Sequence, residues 1–437
     1  MAQSHHMPMS WRKRATDEDM PVTQAPVDDK ATLVCRVGAL LLSAGTGAWR
    51  VRDSMNRVSR ALGVTCSADL GLVSIECTCA EGAESATEVH SLPSSGVNTD
   101  RIMLMDGAVG RMEAEASGMT LGQAHALLDS IERTPGRYAS YQAGLASAAA
   151  CAAFVFLLGG GPIEMACAFV GAGLGNWLRR AMLDRHLNQF LGICCSVALA
   201  CISYLLSLTL LAQAIPGAMS HEAGYIGAML FVIPGFPLIT SGLDLMKLDM
   251  RSGIERLVYA LAVIFVATFV AMLVAMGVNL APDDFVSLGL SEPVMVLLRL
   301  AMSFVGVFGF SMMFNSPLDV CATAGAAGAV ANTLRLELVS VAGVEPAAAA
   351  LAGALVAGLI ASRLGLLKGY PRISLTVPSI VIMVPGLYMY RAVYYMGAGD
   401  AVDATGWLIK AGLIVAALPL GLALARVLTD ERWRTCS

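Results

Sequence analysis

Between Tyr141 and Arg426 one long apolar stretch follows another, each close to the length that crosses a bilayer, with short polar joins. About 20 apolar residues in helical form span a hydrocarbon layer of ~30 Å. The stretches are 141–158, 162–178, 190–213, 223–242, 254–279, 293–314, 317–335, 346–362, 374–396 and 405–426. In lipid each backbone N–H and C=O must be satisfied within the segment, so these stretches are expected to be helices. Composition agrees: hydrophobic residues make up 56% of the 437 and charged residues 14%, against about 25% charged in soluble domains. A bilayer absorbs that excess of apolar side chains and a single soluble core does not. The net charge of −4 gives no bulk attraction to nucleic acid. The expected fold class is an α-helical polytopic membrane protein of about ten transmembrane helices, with the lipid bilayer as partner.

The part before the first span is different. Residues 1–30 are polar and lack the apolar core of a secretory signal. They read as a disordered tail, in which His5 and His6 carry no metal site. Residues 31–138 read as a small α+β domain. Leu33–Leu42 is too short to span, and Arg36 interrupts it. Val51, Met55, Val58 and Leu62 recur at helical spacing, with Arg50, Arg52, Arg57 and Arg60 on other faces. Val73, Ile75, Cys77 and Cys79 alternate with polar residues as a half-buried strand does, and Thr87–Leu92 is its expected partner. Arg101–Ala116 reads as helix. Thr120 and Gln123 form a capping-box pattern ahead of Leu121, Ala124, Leu127, Leu128 and Ile131. His90 and His125 have no nucleophile near them in sequence, and the domain shows no catalytic constellation. The eleven cysteines follow no disulfide or zinc spacing, and those in apolar stretches behave as small hydrophobes. No cofactor or metal is expected.

Charge sets orientation, because short cytoplasmic loops are rich in Lys and Arg. With the soluble domain in the cytoplasm, that side receives Arg179, Arg180, Arg185, Lys247, Arg251, Arg256, Arg363, Lys368 and Arg372, plus Arg426, Arg432 and Arg434. The other side receives mainly Arg335 and Arg391 with Asp283-Asp284. Both termini are therefore expected inside. The two halves also correspond. Val232-Ile233-Pro234-Gly235 in the fourth span matches Met383-Val384-Pro385-Gly386 in the ninth, and Asp249 follows Pro234 as Asp400 follows Pro385. Pro162-x-Glu164 opens the second span and Pro317-x-Asp319 the seventh, with Asn176 and Asn332 near their ends. Five spans is an odd number, so the modules 139–282 and 291–428 enter the membrane from opposite sides. Such an inverted repeat recurs in secondary transporters, with the site at the repeat interface.

Proline and glycine in mid-span break a helix, because proline lacks an N–H and clashes with the preceding turn. Broken ends offer N–H groups to a carboxylate and C=O groups to an ammonium. Pro234, Gly235, Pro385, Gly386, Tyr390 and Arg391 are accordingly the candidate substrate-binding residues. Tyr388 and Tyr390 read as packing or interface aromatics ahead of ligands. Ionisable groups in hydrocarbon are costly and point to function. Glu164, Asp244 and Asp319 are the candidate proton-coupling residues; helix N-terminal acids are the plain alternative for Glu164 and Asp319. Asp249, Arg256, Asn176 and Asn332 are candidate structural or gating residues, and Asp244, Asp249 and Arg256 are also readable as one ion-pair cluster. No Walker-type glycine run appears, so no ATPase is expected.

Several segments stand in a set order along the chain: Leu40-Leu41-Leu42-Ser43-Ala44-Gly45 with Arg52-Asp53-Ser54-Met55; Gly118-Met119-Thr120 leading to Ala124, Leu128, Glu132, Pro135 and Tyr138; and Leu157-Leu158-Gly159-Gly160-Gly161. The stretch from Pro234-Gly235 to Arg256, and Val384-Pro385-Gly386-Leu387 with Tyr390-Arg391, complete the set. In that order they resemble the threonine/serine exporter family of bacterial inner membranes. The resemblance implies a cytoplasmic N-terminal domain and two five-helix modules, which in some relatives are separate chains associated with succinate export. It implies efflux of threonine and serine driven by protons, and it carries over no site residue. The expected protein is not an enzyme but a secondary exporter working by alternating access, in the inner membrane, with a homo-oligomer left open. A dicarboxylate exporter is the alternative, and a membrane-tethered hydrolase the remote one.

Overall fold

Helix α1 (Val27–Ser43) starts inside the stretch expected as a tail. In the computed structural model, which describes Trp11 and residues 17–282, 284–286 and 288–435, Val22 and Ala25 are buried and Pro21 bridges to Thr120. Packing on the core therefore starts ahead of Ala31: two small apolar side chains and a backbone bridge tie this segment down, and Trp11 and Met20 also lie against the core. His5, His6 and Asp283 lie outside the described residues.

The residues up to Gly136, together with Leu243–Arg256, make one unit. It contains α1, α2 (Ala48–Ala61), strands β1 (Thr65–Leu70), β2 (Ser74–Glu81) and β3 (Glu84–Ser91), then α3 (Thr99–Glu115) and α4 (Leu121–Glu132). The sheet is antiparallel in the order β1-β2-β3. Ile75, Cys77 and Cys79 face inward, and Val51, Met55 and Val58 of α2 are fully buried. Strand β1 escapes the periodicity argument because its residues are small or polar and only Leu70 is fully buried. The Thr120–Gln123 capping box is present at the start of α4. Arg36, buried on α1, donates to Asp129, to Glu132 at 2.7 Å and to the His125 carbonyl at 3.2 Å. The charge that interrupts the apolar run is thus matched from α4.

Residues 137–242 and 257–437 form the second unit. Its helices are α5 (Ser140–Leu157), α6 (Pro162–Asp184), α7 (Gln189–Ala212), the short α8 (Tyr225–Ala228), α9 (Gly235–Met246) up to Gly242 and α10 (Met250–Gly277) from Leu257 on. Then follow α11 (Glu292–Met313), α12 (Leu318–Ser340), α13 (Pro346–Lys368), α14 (Arg372–Val381), α15 (Gly386–Gly397) and α16 (Ala401–Thr429). Each apolar stretch of the sequence falls on a helix or on a bent pair. Among the described residues six helices are long and apolar enough to cross a membrane (α5, α7, α10, α11, α13 and α16), or up to eight if each bent pair is one span. The helices α6 and α12, 23 residues each, fall outside that set. Both carry acids and arginines among their glycines and alanines. The chain is therefore a multi-pass, mostly helical protein with a small antiparallel sheet.

Small residues set the helix spacing, as lipid-embedded helices require. A Cβ on Gly421 of α16 would lie 2.5 Å from the Leu351 carbonyl oxygen of α13, whereas Gly412 of the same helix has nothing within 4 Å. Gly421→Ala is expected to cost ~1–3 kcal/mol through overpacking, and Gly412→Ala to be neutral or to stabilise by up to ~1 kcal/mol. Thermal unfolding of the two variants in detergent, side by side, checks the contrast.

Candidate functional site

The second unit is organised around two breaks. The segment Ala218–Val232 bends by 56° into α9 at Pro234, and α14 bends by 51° into α15 at Pro385. The backbone solves both in one way. Gly235 N–H donates to the Ile233 carbonyl at 2.8 Å, and Gly386 N–H to the Val384 carbonyl at 2.8 Å. One turn on, Leu238 N–H reaches Pro234 O at 3.1 Å and Met389 N–H reaches Pro385 O at 3.0 Å. The breaks also face each other. A Cβ on Gly235 would stand 2.5 Å from Val381 and 3.2 Å from Val384, and one on Gly386 would stand 2.7 Å from Leu230. Each glycine is needed because the other half's break fills the space its side chain would take. The junction is apolar, with a void of only about 10 Å³ beside Phe154 and Phe310. Tyr225 of α8 and Tyr390 of α15, both fully buried, share a hydroxyl–hydroxyl hydrogen bond with rings edge to face at 5.7 Å.

A cavity of about 540 Å³ opens at the second break, a size usual for small-molecule sites. Met383, Val384, Pro385 and Gly386 supply backbone, and Phe154, Tyr388 and Trp407 supply aromatic wall. Three arginines line it: Arg299, Arg335 and Arg391. Arg299 is held by Glu337 at 2.7 Å and by Ser340 at 2.9 Å. Arg391 donates to Asp284 at 2.7 Å and its guanidinium lies 4.6 Å from the Trp407 ring centre. Arg335 is different. It makes one long bond to the Met383 carbonyl, 3.4 Å, its buried Nε has no partner among the described residues, and none of their carboxylates is within ion-pair distance. A partly buried cation in that state favours an anion in the cavity.

Of the residues expected to bind substrate, Pro385, Gly386 and Arg391 line this cavity. Gly235 lines only the small void, Pro234 lines neither, and Tyr390 points at Tyr225. Glu164 is buried at the start of α6, where its carboxylate accepts the Gly161 N–H at 2.9 Å and meets His221 Nδ1 at 2.6 Å. Tyr204 fixes that loop by donating to the His221 carbonyl at 2.6 Å. Asp319, exposed at the start of α12, accepts from the Tyr370 hydroxyl. In both halves, then, the acid heading the second helix pairs with a residue leading into the broken one. Asn176 donates to the Ala143 carbonyl at 2.9 Å and Asn332 to Ser303 at 2.8 Å, each tying the second helix of its half to the first. Asp249 and Asp400 each immediately precede the last long helix of their half.

Asp244 sits in the first unit. It accepts from Ala48 N–H at 2.9 Å and Ser252 at 3.1 Å and lies 3.3 Å from Arg256, which donates to the carbonyls of Gly45 and Thr46. Asp249 pairs with Arg52. This is the ion-pair cluster reading of Asp244, Asp249 and Arg256, with partners that lie some 200 positions away in sequence. His221, Tyr225 and Trp407 escaped the sequence reading, and Arg335 entered it only as an outer-loop cation. A polar residue between two spans looks like an ordinary interface residue until its partner is seen.

A family model for threonine/serine exporters matches residues 32–279, and a second, Threonine/Serine exporter, ThrE, matches residues 299–428. The chain belongs to the threonine/serine exporter family and is a membrane exporter. It is 24% identical to the "Probable threonine/serine exporter" of Mycobacterium tuberculosis over 93% of this chain and 79% of that protein. It is 25% identical to the "Probable succinate transporter subunit YjjP" of Escherichia coli over 56% of this chain and 93% of that protein. No solved structure matches.

The Glu164–His221 contact generates a measurable coupling. Removing His221 takes the side-chain partner of the buried Glu164 Oε1, and removing Glu164 takes that of the half-buried His221 ring, at ~1–3 kcal/mol. Glu164→Ala and His221→Ala are each expected to destabilise by that order, and the double variant by less than the sum, with a coupling of ~0.5–3 kcal/mol. A double-mutant cycle on thermal unfolding tests it, and strict additivity would show the contact to be idle.

Proposed function

We propose that the protein exports small hydroxy amino acids, threonine and serine, by alternating access, with inward proton flow as the driving force. The observation that carries the reading is the cavity at the second break, where Arg335 has no carboxylate partner among the described residues. A substrate carboxylate would be held by the Arg335 guanidinium, helped by N–H groups of the first turn of α15 beyond Gly386, whose own N–H is taken by Val384. Carbonyls released at the same break would accept from the substrate ammonium. The correspondence of the two halves supports ten spans in two inverted five-helix modules, α5–α10 and α11–α16, with α6 and α12 as shielded inner spans. The loop charges support both termini in the cytoplasm and an inner-membrane location.

Glu164 with His221, and Asp319 with Tyr370, are the proton-handling pairs of this scheme, one at the head of the second helix in each half. Asp244, Asp249 and Arg256 act structurally, and Asn176 and Asn332 as helix ties. The apolar seal between the breaks and the Tyr225–Tyr390 bond form the gate that must part for substrate to pass. A dicarboxylate such as succinate would need a second cation, and Arg391 is the one available; Asp284 already neutralises it.

Counterflow of labelled threonine in proteoliposomes tests the whole. Uptake above empty liposomes, enhanced by an opposing pH gradient, is expected; its absence under both conditions overturns the proposal. Arg335→Gln is expected to raise the threonine KM at least tenfold while the protein still folds. Succinate counterflow in place of threonine, abolished by Arg391→Gln, would favour the dicarboxylate reading.

A further inference from the structure

All four described cysteines of the first unit converge on one spot. Cys66 on β1 stands directly opposite Cys79 on β2, Cys77 is two residues along the same face, and Cys35 on α1 lies over Cys77. Each is a free thiol. Cys35, Cys77 and Cys79 are fully buried, while Cys66 is half-buried at the edge strand. Packing alone does not ask for this. The same inward face uses Leu70 and Ile75 where only a core is needed, and a leucine or isoleucine buries more apolar area than a cysteine.

The pairing geometry is specific. Gly71 N–H donates to the Ser74 carbonyl at 2.9 Å, which makes Gly71–Ser74 a hydrogen-bonded pair of the hairpin. Hydrogen-bonded and non-hydrogen-bonded pairs alternate along an antiparallel ladder. Counting back through the register, Leu70–Ile75, Ala68–Cys77's row and Cys66–Cys79 are non-hydrogen-bonded pairs. Their Cα atoms stand ~4.5 Å apart with side chains close, inside the range of about 4.4–6.8 Å that a disulfide bridges. The neighbouring Cys77 and Cys79 thiols, each able to donate to a Cys66 thiolate, hold Cys66 well below the ordinary thiol range. Cys35 above all, then Cys66, pushes the Cys77 thiol up, and Cys66, then Cys77 and burial, push the Cys79 thiol up. The half-exposed member is the nucleophile, and the buried member opposite it holds its proton until needed.

We propose that Cys66 and Cys79 form a reversible dithiol–disulfide site for small-molecule disulfides of the glutathione disulfide class. The Cys66 thiolate attacks one sulfur of the small disulfide, forming a mixed disulfide and releasing one small thiolate. That thiolate takes the Cys79 proton. The Cys79 thiolate then attacks Cys66 Sγ, closing the Cys66–Cys79 bond and releasing the second small thiolate, which takes up from water the proton that Cys66 gave up on ionising. Two protein thiols lose two electrons and two protons, and the small disulfide is reduced to two thiols. Cys77 and Cys35 remain reduced behind the pair.

The test uses the full-length protein in detergent, equilibrated with glutathione redox buffers, quenched by alkylation, digested and read by mass spectrometry. A Cys66–Cys79 linked peptide that grows with the oxidised fraction and is reversed by dithiothreitol is expected. In reduced native protein, Cys66 is expected to react with iodoacetamide at least tenfold faster than Cys79. Cys79→Ser should accumulate the glutathione adduct on Cys66, and Cys66→Ser should give neither adduct nor link. Full alkylation of both thiols at every redox ratio in the unsubstituted protein overturns the proposal, whether or not the variants fold. So does a link that joins other cysteines.

Discussion

Two helices broken at the same relative point, packed so that each break fills the space the other leaves, are what the membrane unit is built around. Gly235 presses on Val381 and Val384, and Gly386 presses on Leu230. Neither break is tolerable in isolation, because an interrupted helix in an apolar medium leaves backbone groups to satisfy. Here the first of these groups folds back on the residue two before it, at 2.8 Å in both halves, and the remainder lie against the junction or the cavity. The small residues of the surrounding helices follow from this, since close approach around a bent centre leaves no room for side chains.

The centre also divides labour. On one side of the apolar seal lies the cavity with Arg335, Arg391 and aromatic wall; Tyr225 and Tyr390 join the two broken elements by a hydroxyl bond. The acids at the heads of α6 and α12 are held by His221 and Tyr370, residues that lead into the broken segments.

The first unit has its own logic. It is a helix-covered three-stranded sheet whose core includes charge: Arg36 answered by Asp129 and Glu132, and Lys30 by Glu81. Buried charges are retained only where partners are supplied, and here the partners come from distant elements. The unit also takes in Leu243–Arg256, whose Asp244, Asp249 and Arg256 are bonded to the loop before α2 and to α2 itself. The four gathered thiols belong to the same pattern of chemistry assembled from scattered strands.

Sequence by itself was enough for the apolar stretches, the helix and strand patterns of the first unit apart from β1, the Thr120 capping box and the two proline–glycine breaks. These are local: periodicity, length and backbone chemistry are written in neighbouring residues. The start of the folded part was misjudged because Val22 and Ala25 are too few to form a pattern. What only the tertiary structure decided is which groups meet. Glu164 finds His221 57 positions away, Cys66 finds Cys79 across a hairpin, and Asp244 finds Ala48 196 positions back. The long apolar stretches are legible in the sequence, but that two of their breaks pack face to face, with a cavity beside the second, is not. Periodicity reports which side of a helix is apolar, but not which neighbour that side touches, and a site is made of neighbours.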